Sequence, residues 1–534
     1  MRRPKACATC RARRRKCIIE PGQERCEHCI THNTECVQEL PRGGWYEQRA
    51  LQQSQQPSQS PTNGHLSSGA PSPSSIQLGT PLPGIELILE LVYLYFDYVH
   101  DQFHSLFHRP TFIQDVTQGH VPEGLLYGIL GLAARFCTNP ALEGTEPRDR
   151  GRKFMLEAEK RLNIRHIHLD TVRLAVLLGA GATGDGDTEA ENMFYTIACR
   201  MAQMLGMPHR PAACALDREI DIRVWWTLCM IDVWSSTAVK LPRMQPVDGD
   251  GAPLPSDDLP FLHLQRGVTT PAPLIERRSP LISQMVLLNR ILLAVNDFNQ
   301  ACVASPPSPV ELENGVQLLV HQMESWLSNL PQDVRDNADN FRWFNLHGLG
   351  RPYAAVYLGY YHFGQLLYYQ FLHVGNGVPA GSPARVYSDR CKYHSAQLCD
   401  MIYRAVFTPG SDVRYHMVGH VIVIASTVQI HTLLFSDDET QIADARRRLE
   451  KNFEILLLLR PYWPALDRIM GRLRAFHATC QTNMSSSFVL DRWMLQFLVA
   501  FGGNMDEKPG GAAATSPELE AFYNLDSLMS SSYD

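Results

Sequence analysis

The sequence predicts a mostly α-helical protein with a small cysteine-held module at one end and a large all-α body, and three observations carry that prediction. Six cysteines crowd into the first 36 residues, and the chain from about Gln52 to Gly84 is built mainly from Gln, Ser, Pro and Gly. From Ile85 to about Gly503, apolar residues recur at three- and four-residue spacing over helix-length segments. The expected division is a cysteine module over 1–40, a disordered Gln/Ser/Pro-rich linker over 41–84, a helical body over 85–503 and a disordered tail over 504–534. At 534 residues the chain is too long for one ordinary domain, and its 45% hydrophobic content supplies at least one substantial core.

Cys7, Cys10, Cys17, Cys26, Cys29 and Cys36 follow C-x2-C-x6-C-x8-C-x2-C-x6-C, one half-motif written twice. Thiolate is the favoured ligand of structural zinc, which takes four ligands in a tetrahedron. Two ions need eight coordination positions, which six cysteines supply only if two sulfurs each bridge both metals; a single ion would leave two cysteines over. The internal symmetry favours two Zn2+ ions, each held by an x2 pair at a helix start. His28, inside the second pair, is the one histidine competitor, and six thiolates satisfy both ions without it.

Between the second and third cysteines lie Arg11, Arg13, Arg14, Arg15 and Lys16, following Arg2, Arg3 and Lys5, with no acid before Glu20. The net charge of −6 hides this asymmetry, and a basic end on an otherwise acidic chain points to a polyanionic partner. The charges could serve as a plain solvated face or as an import signal. Their position between zinc ligands favours a reading surface.

The six spacings and the basic loop together resemble the fungal zinc binuclear cluster, a DNA-binding domain of transcription factors. The resemblance implies that the first and fourth sulfurs, here Cys7 and Cys26, bridge the ions. It also implies a nuclear protein that reads a CGG-type triplet in the major groove of double-stranded DNA. The base-approaching positions fall on Arg13 and Arg14, with Lys16 just before the third cysteine, and the family's loop proline is matched by Pro21. Arginine can engage guanine O6 and N7 bidentately, so guanine recognition is chemically well supplied.

Beyond the linker, segments such as ELILELVYLYFDYVHDQF and DREIDIRVWWTLCMIDVW carry the helical periodicity. No run of alternating strands and hairpin turns appears. Cys137, Cys199, Cys214, Cys229, Cys302, Cys391, Cys399 and Cys480 are scattered singly, as buried thiols of a reducing compartment would be. The N-terminus lacks an apolar signal region, and the longest apolar run, Val421 to Ala425 and its flanks, is interrupted by His416, His420, Gln429 and His431, so no membrane span is expected.

Three stretches resemble the fungal-specific transcription factor regulatory domain. In 94–112, His108, Pro110 and Phe112 match an H-x-P-x-F turn; 190–207 is a second stretch; and in 218–242 Arg223, Trp225, Trp226 and Asp232 match an R-x-x-W-W…D core. Lys240 and Leu241 depart from the Gly-Arg that usually precedes the proline matched by Pro242. The resemblance covers most of 85–350 and fades beyond.

Two patterns look like ligand sites and are read otherwise. Gly179, Gly181 and Gly184 spell G-x-G-x-x-G, but the ribose-binding acid expected about 20 residues on is missing, so a flexible turn between two helices is expected there. His100, His104 and His108 would share one helical face if the helix reached that far, with Asp97 and Asp101 near. Pro110 ends the helix just past them and HSLFH lacks the internal Glu of a zinc hydrolase, so no metal site is expected. Trp225, Trp226 and the aromatic run Tyr357 to Tyr369 read as core.

The leading functional expectation is a sequence-specific transcription factor of RNA polymerase II genes. The alternatives are a sensor whose helical body binds a metabolite and gates DNA binding, or a repressor. An enzyme is disfavoured, because six thiolates close both zinc spheres and leave no position for substrate. The tail PELEAFYNLDSLMSSSYD alternates acids with Leu, Phe and Tyr, as a coactivator-docking segment does; a plain terminus reads equally well. Gly43 to Gln56 offers at most two weak heptads, so a homodimer would have to pair through the helical body.

Overall fold

The computed structural model describes Cys17, residues 25–32, Cys36, 81–102, 104–267, 277–373, 379, 381–482, 487–500, and residues 505 and 508. The chain divides into two compact units, Met1–Gln77 and Leu78–Asp534. The linker up to residue 80, the basic loop and nearly all of the tail lie outside the described residues. In the first unit a single helical turn, α1 (Glu27–Thr31), follows directly on Cys26, whose carbonyl accepts the Ile30 N–H at 3.0 Å.

The second unit is all helix among its described residues, with one isolated bridge between His100 and His104 and no strand. It opens with α2 (Ile85–Tyr98), which starts where the linker composition ends. Its buried residues Ile88, Leu91, Val92, Tyr95 and Phe96 fall at the three- and four-residue spacing of one helical face. There follow α3 (Arg109–Thr117), α4 (Glu123–Ala133), α5 (Arg152–Lys160), α6 (Leu169–Asp185), α7 (Thr188–Met204), α8 (Ala215–Val239) and the short α9 (Asp258–Leu262). The second half holds α10 (Leu281–Ala304), α11 (Pro309–Asn329), α12 (Ala338–Leu346), α13 (Gly350–Tyr368), α14 (Pro383–Val406), α15 (Met417–Phe435), α16 (Glu439–Leu459), α17 (Ala465–Thr482) and α18 (Arg492–Val499).

Most helices pack on their neighbours in sequence, as in α6 on α7, α13 on α14 and α15 on α16. The two halves are then joined by long-range ties. The Arg135 guanidinium lies 4.0 Å from the Trp463 ring centroid and donates to the Tyr462 carbonyl at 3.0 Å, while Arg148 bonds Asp467 at 2.6 Å. The fading of the family resemblance near residue 350 therefore marks no boundary in the fold.

Helices α10 and α15 are long and apolar enough to cross a membrane by length and composition. Of their most apolar windows, 61% and 83% are buried within this fold, which accounts for the hydropathy as core. Six of the eight scattered cysteines are buried, and Cys214 and Cys302 are half-buried.

The glycine pattern is corrected. Gly179, Gly181 and Gly184 lie inside α6 rather than in a turn, and a Cβ there would overlap the Tyr195 ring, the Met155 methyl and the Trp463 ring respectively. They let α6 pack closely on three neighbours. The turn itself comes at Gly186, which takes a left-handed conformation (φ 73°).

The histidine stripe is also not helical, because α2 ends at Tyr98. His100 Nε2 accepts the Leu106 and Phe107 N–H groups at 3.0 and 3.1 Å, and His104 Nε2 meets the Tyr95 hydroxyl at 3.0 Å. His108 precedes α3, with its carbonyl accepting the Phe112 N–H at 2.9 Å and Pro110 in the first turn. Burial pushes His104 down to about 3 and His108 to about 4, so both are neutral structural groups.

Candidate metal centre and the strap of the helical body

Among the described residues, one group of three ligand side chains converges tightly enough for a metal, and it is Cys26, Cys29 and Cys36. Their Sγ atoms all lie within 4.8 Å of one another. Sulfurs around one tetrahedral zinc at 2.3 Å stand about 3.8 Å apart, so the three fit the face of a single coordination sphere. No disulfide joins the described cysteines.

Local sequence dictates this convergence. The C-x2-C spacing puts Cys26 just before α1 and Cys29 one turn in, both fully buried, while the six following residues return the chain to Cys36. The Cys26 N–H donates to Cys36 Sγ at 3.2 Å, a bond that favours thiolate at Cys36. Cys17 packs against the same pair. The His28 ring lies 4.3 Å from that of His32, and His28 is not one of the three converging ligands. Cys7, Cys10, Arg11, Arg13, Arg14, Arg15 and Lys16 lie outside the described residues.

In the helical body, the R-x-x-W-W…D residues of α8 all grip the segment that follows it. Arg223, 2% exposed, pairs with Glu219 and Asp258 at 2.9 Å each and donates to the Ser256 carbonyl at 2.8 Å, with its guanidinium 4.0 Å from the Phe261 centroid. Trp225 Nε1 donates to the Gly249 carbonyl and Trp226 Nε1 to the Pro253 carbonyl, both at 2.8 Å. Asp232 accepts the Met244 and Gln245 N–H groups at 2.8 Å each. Residues 244–258 thus form a strap held at six residues by four side chains of one helix.

Sequence reasoning placed the two tryptophans in the core but missed the strap. Glu219, four residues before Arg223 on the same helix face, was the available signal. Burial pushes Asp258 up to about 6 even with the Arg223 charge beside it, and raises Asp232 against its two amide bonds. The departure at Lys240 leaves the backbone turn intact. Lys240 is left-handed (φ 57°, ψ 38°), its N–H reaching the Thr237 carbonyl at 3.4 Å and the Leu241 N–H the Ser236 carbonyl at 3.0 Å.

Residues 5–44 match the fungal Zn(2)-Cys(6) binuclear cluster domain and residues 92–323 the fungal specific transcription factor domain. The chain is similar to a Schizosaccharomyces pombe protein described as an uncharacterized transcriptional regulatory protein, at 23% identity over 82% of this chain and 46% of that one. A second such S. pombe protein is 21% identical over 74% of this chain and 53% of its own. The Zn(2)-C6 fungal-type transcription factor FTF1c of Fusarium oxysporum is 20% identical over 74% of this chain and 46% of its own. The chain spans about half the length of the curated relatives it matches. Cysteine spacing, converging thiols and the gripped strap agree with both domain matches, and the chain belongs to the fungal Zn(2)-Cys(6) family of transcriptional regulators.

Proposed function

We propose that the chain regulates RNA polymerase II genes in the nucleus by reading CGG-type triplets in double-stranded DNA. The observation that carries this reading is the convergence of Cys26, Cys29 and Cys36 at the start of α1, in a unit whose other half repeats the same spacing. Cys7, Cys10 and Cys17 supply the matching half, with Cys7 and Cys26 shared between two metal positions. Bound zinc supplies crosslinks in place of a core. Six thiolates leave no open position, so the role is structural and the chain is not an enzyme.

The residues between the second and third thiols do the reading. Arg13 and Arg14 present guanidinium forks to guanine O6 and N7, while Arg11, Arg15 and Lys16 face the phosphates and set register. Selection of the full chain on random DNA should enrich a CGG-containing site, with enrichment lost on chelation. Absence of enrichment overturns the reading. Arg14→Ala should cost about 1–3 kcal/mol on the selected site and relax discrimination at one guanine. Equal losses on selected and random DNA would remove Arg14 from base reading.

A further inference from the structure

Helices α8, α10 and α13 and the start of α15 enclose a cavity of about 120 Å³ that none of the domain matches assigns. It lies where the matched segment 92–323 meets the remainder of the body, with Met230 and Trp234 on one wall and Phe363 and Val418 on the other. An apolar cavity of about 150 Å³ is large enough to take up benzene, so this volume suits one six-membered ring.

The lining fixes the ligand class. No Asp, Glu, Lys or Arg lines the cavity among the described residues. His362, on the wall, is held neutral by burial, which pushes it down to about 3. A charged ligand would therefore enter without a counter-ion, at high desolvation cost. Two amides supply the polar contact: Asn289, 7% exposed, has its Oδ1 without a hydrogen-bond partner, and Gln102 has a buried Nε2 likewise. Buried polar atoms are rarely left unsatisfied. An acceptor and a donor on a wall whose other polar residues are His362 and Tyr415 match a hydroxyl or carbonyl.

We propose that this cavity is a binding site for a small uncharged ring compound bearing one hydroxyl or carbonyl, held by Asn289 and Gln102. Half-buried Met285, Ala355 and Gly359 form its rim and give the route of entry. A ligand seated there touches helices from both halves of the body and so stabilises them together. The inference does not depend on the DNA-reading role of the basic loop, since binding is measured directly.

The test titrates the full chain with phenol, toluene and benzoate by calorimetry, following the helical melt in parallel. Phenol should bind saturably with Kd below about 10 mM and raise the melting temperature, and benzoate should bind at least about tenfold more weakly. A Cβ at Gly359 meets the Phe363 ring and Leu288 only at 3.6–3.8 Å, so Gly359→Leu grows into the cavity without backbone overlap. That variant should lose phenol binding by at least about tenfold while melting no lower than the parent. Ala355→Leu, one turn earlier, serves if Gly359→Leu does not fold. Asn289→Leu should erase the preference for phenol over toluene. A cavity holding only water would give no saturable heat with any probe, and that result overturns the proposal. Phenol binding unchanged in both filled variants, or benzoate binding as well as phenol, overturns it equally.

Discussion

In the cysteine unit, the described residues that are fully buried are Cys26 and Cys29, whereas in the helical body one apolar cluster runs from Ile88 to Leu498. The two units must hold their structure by different means. A segment of about 40 residues cannot bury enough apolar area to offset its conformational entropy, so its order must come from metal–thiolate bonds. The body has area to spare and can afford buried charge, as in the Arg223–Asp258 pair.

A strong zinc chelator should abolish DNA binding and the fold of the cysteine unit together, because structural zinc contributes about 10–16 kcal/mol in such modules. The melt of the helical body should not move. Calorimetry of the full chain with and without chelator checks this, and a body transition that shifts with the cysteine unit would show the two to be one cooperative system.

The second effect reverses the target. Arg223→Ala leaves the buried carboxyls of Glu219 and Asp258 without their cation and should destabilise the body by about 3–5 kcal/mol. Thiolate-to-metal charge-transfer absorption after cobalt substitution should be unchanged. Arg223→Lys should recover only part of the loss, since an ammonium cannot span Glu219, Asp258 and the Ser256 carbonyl at once.

These two regions were also unequally legible. The α2 face is readable because Ile88, Leu91, Val92, Tyr95 and Phe96 repeat at the helical period and all face one core. The thiol convergence was readable because ligand spacing is local. The glycines of α6 were read as a turn because their packing partners, Met155, Tyr195 and Trp463, come from elsewhere in the chain and are invisible to local spacing. The strap was hidden for the same reason: Arg223 is visible as a motif, while Ser256 and Asp258 reach it only through the fold.

A third effect concerns a buried acid with no cation beside it. Glu191 on α7 is 2% exposed, and burial pushes its carboxyl up to about 8, with the Thr183 hydroxyl partly opposing and Asp187 adding to the rise. Because the folded value lies above the unfolded one, the native state binds the extra proton between about pH 4.3 and 8. This group therefore weakens the fold progressively as pH rises through that window. Glu191→Gln keeps the neutral shape and removes the penalty, so it should stabilise the body by about 1–3 kcal/mol at pH 7 and by less at pH 5. Parallel melts at the two pH values check the sign. Equal effects at both would assign the change to packing rather than to the proton.

The smallest effect sharpens what the body can tolerate. Lys240 occupies the left-handed position after α8 where the family usually has glycine, and its Cβ makes that conformation costly by about 1 kcal/mol. The turn persists because Leu241 N–H reaches the Ser236 carbonyl and Asp232 holds Met244 and Gln245 just beyond. Lys240→Gly should relieve the strain and, after the added entropy of the unfolded chain, stabilise the body by no more than about 0.6 kcal/mol. If the strap imposes the turn, Asp232→Asn should raise the gain from Lys240→Gly, because the turn then rests more on its own backbone. A double-mutant cycle with no coupling would place the origin of the turn in the helix end alone.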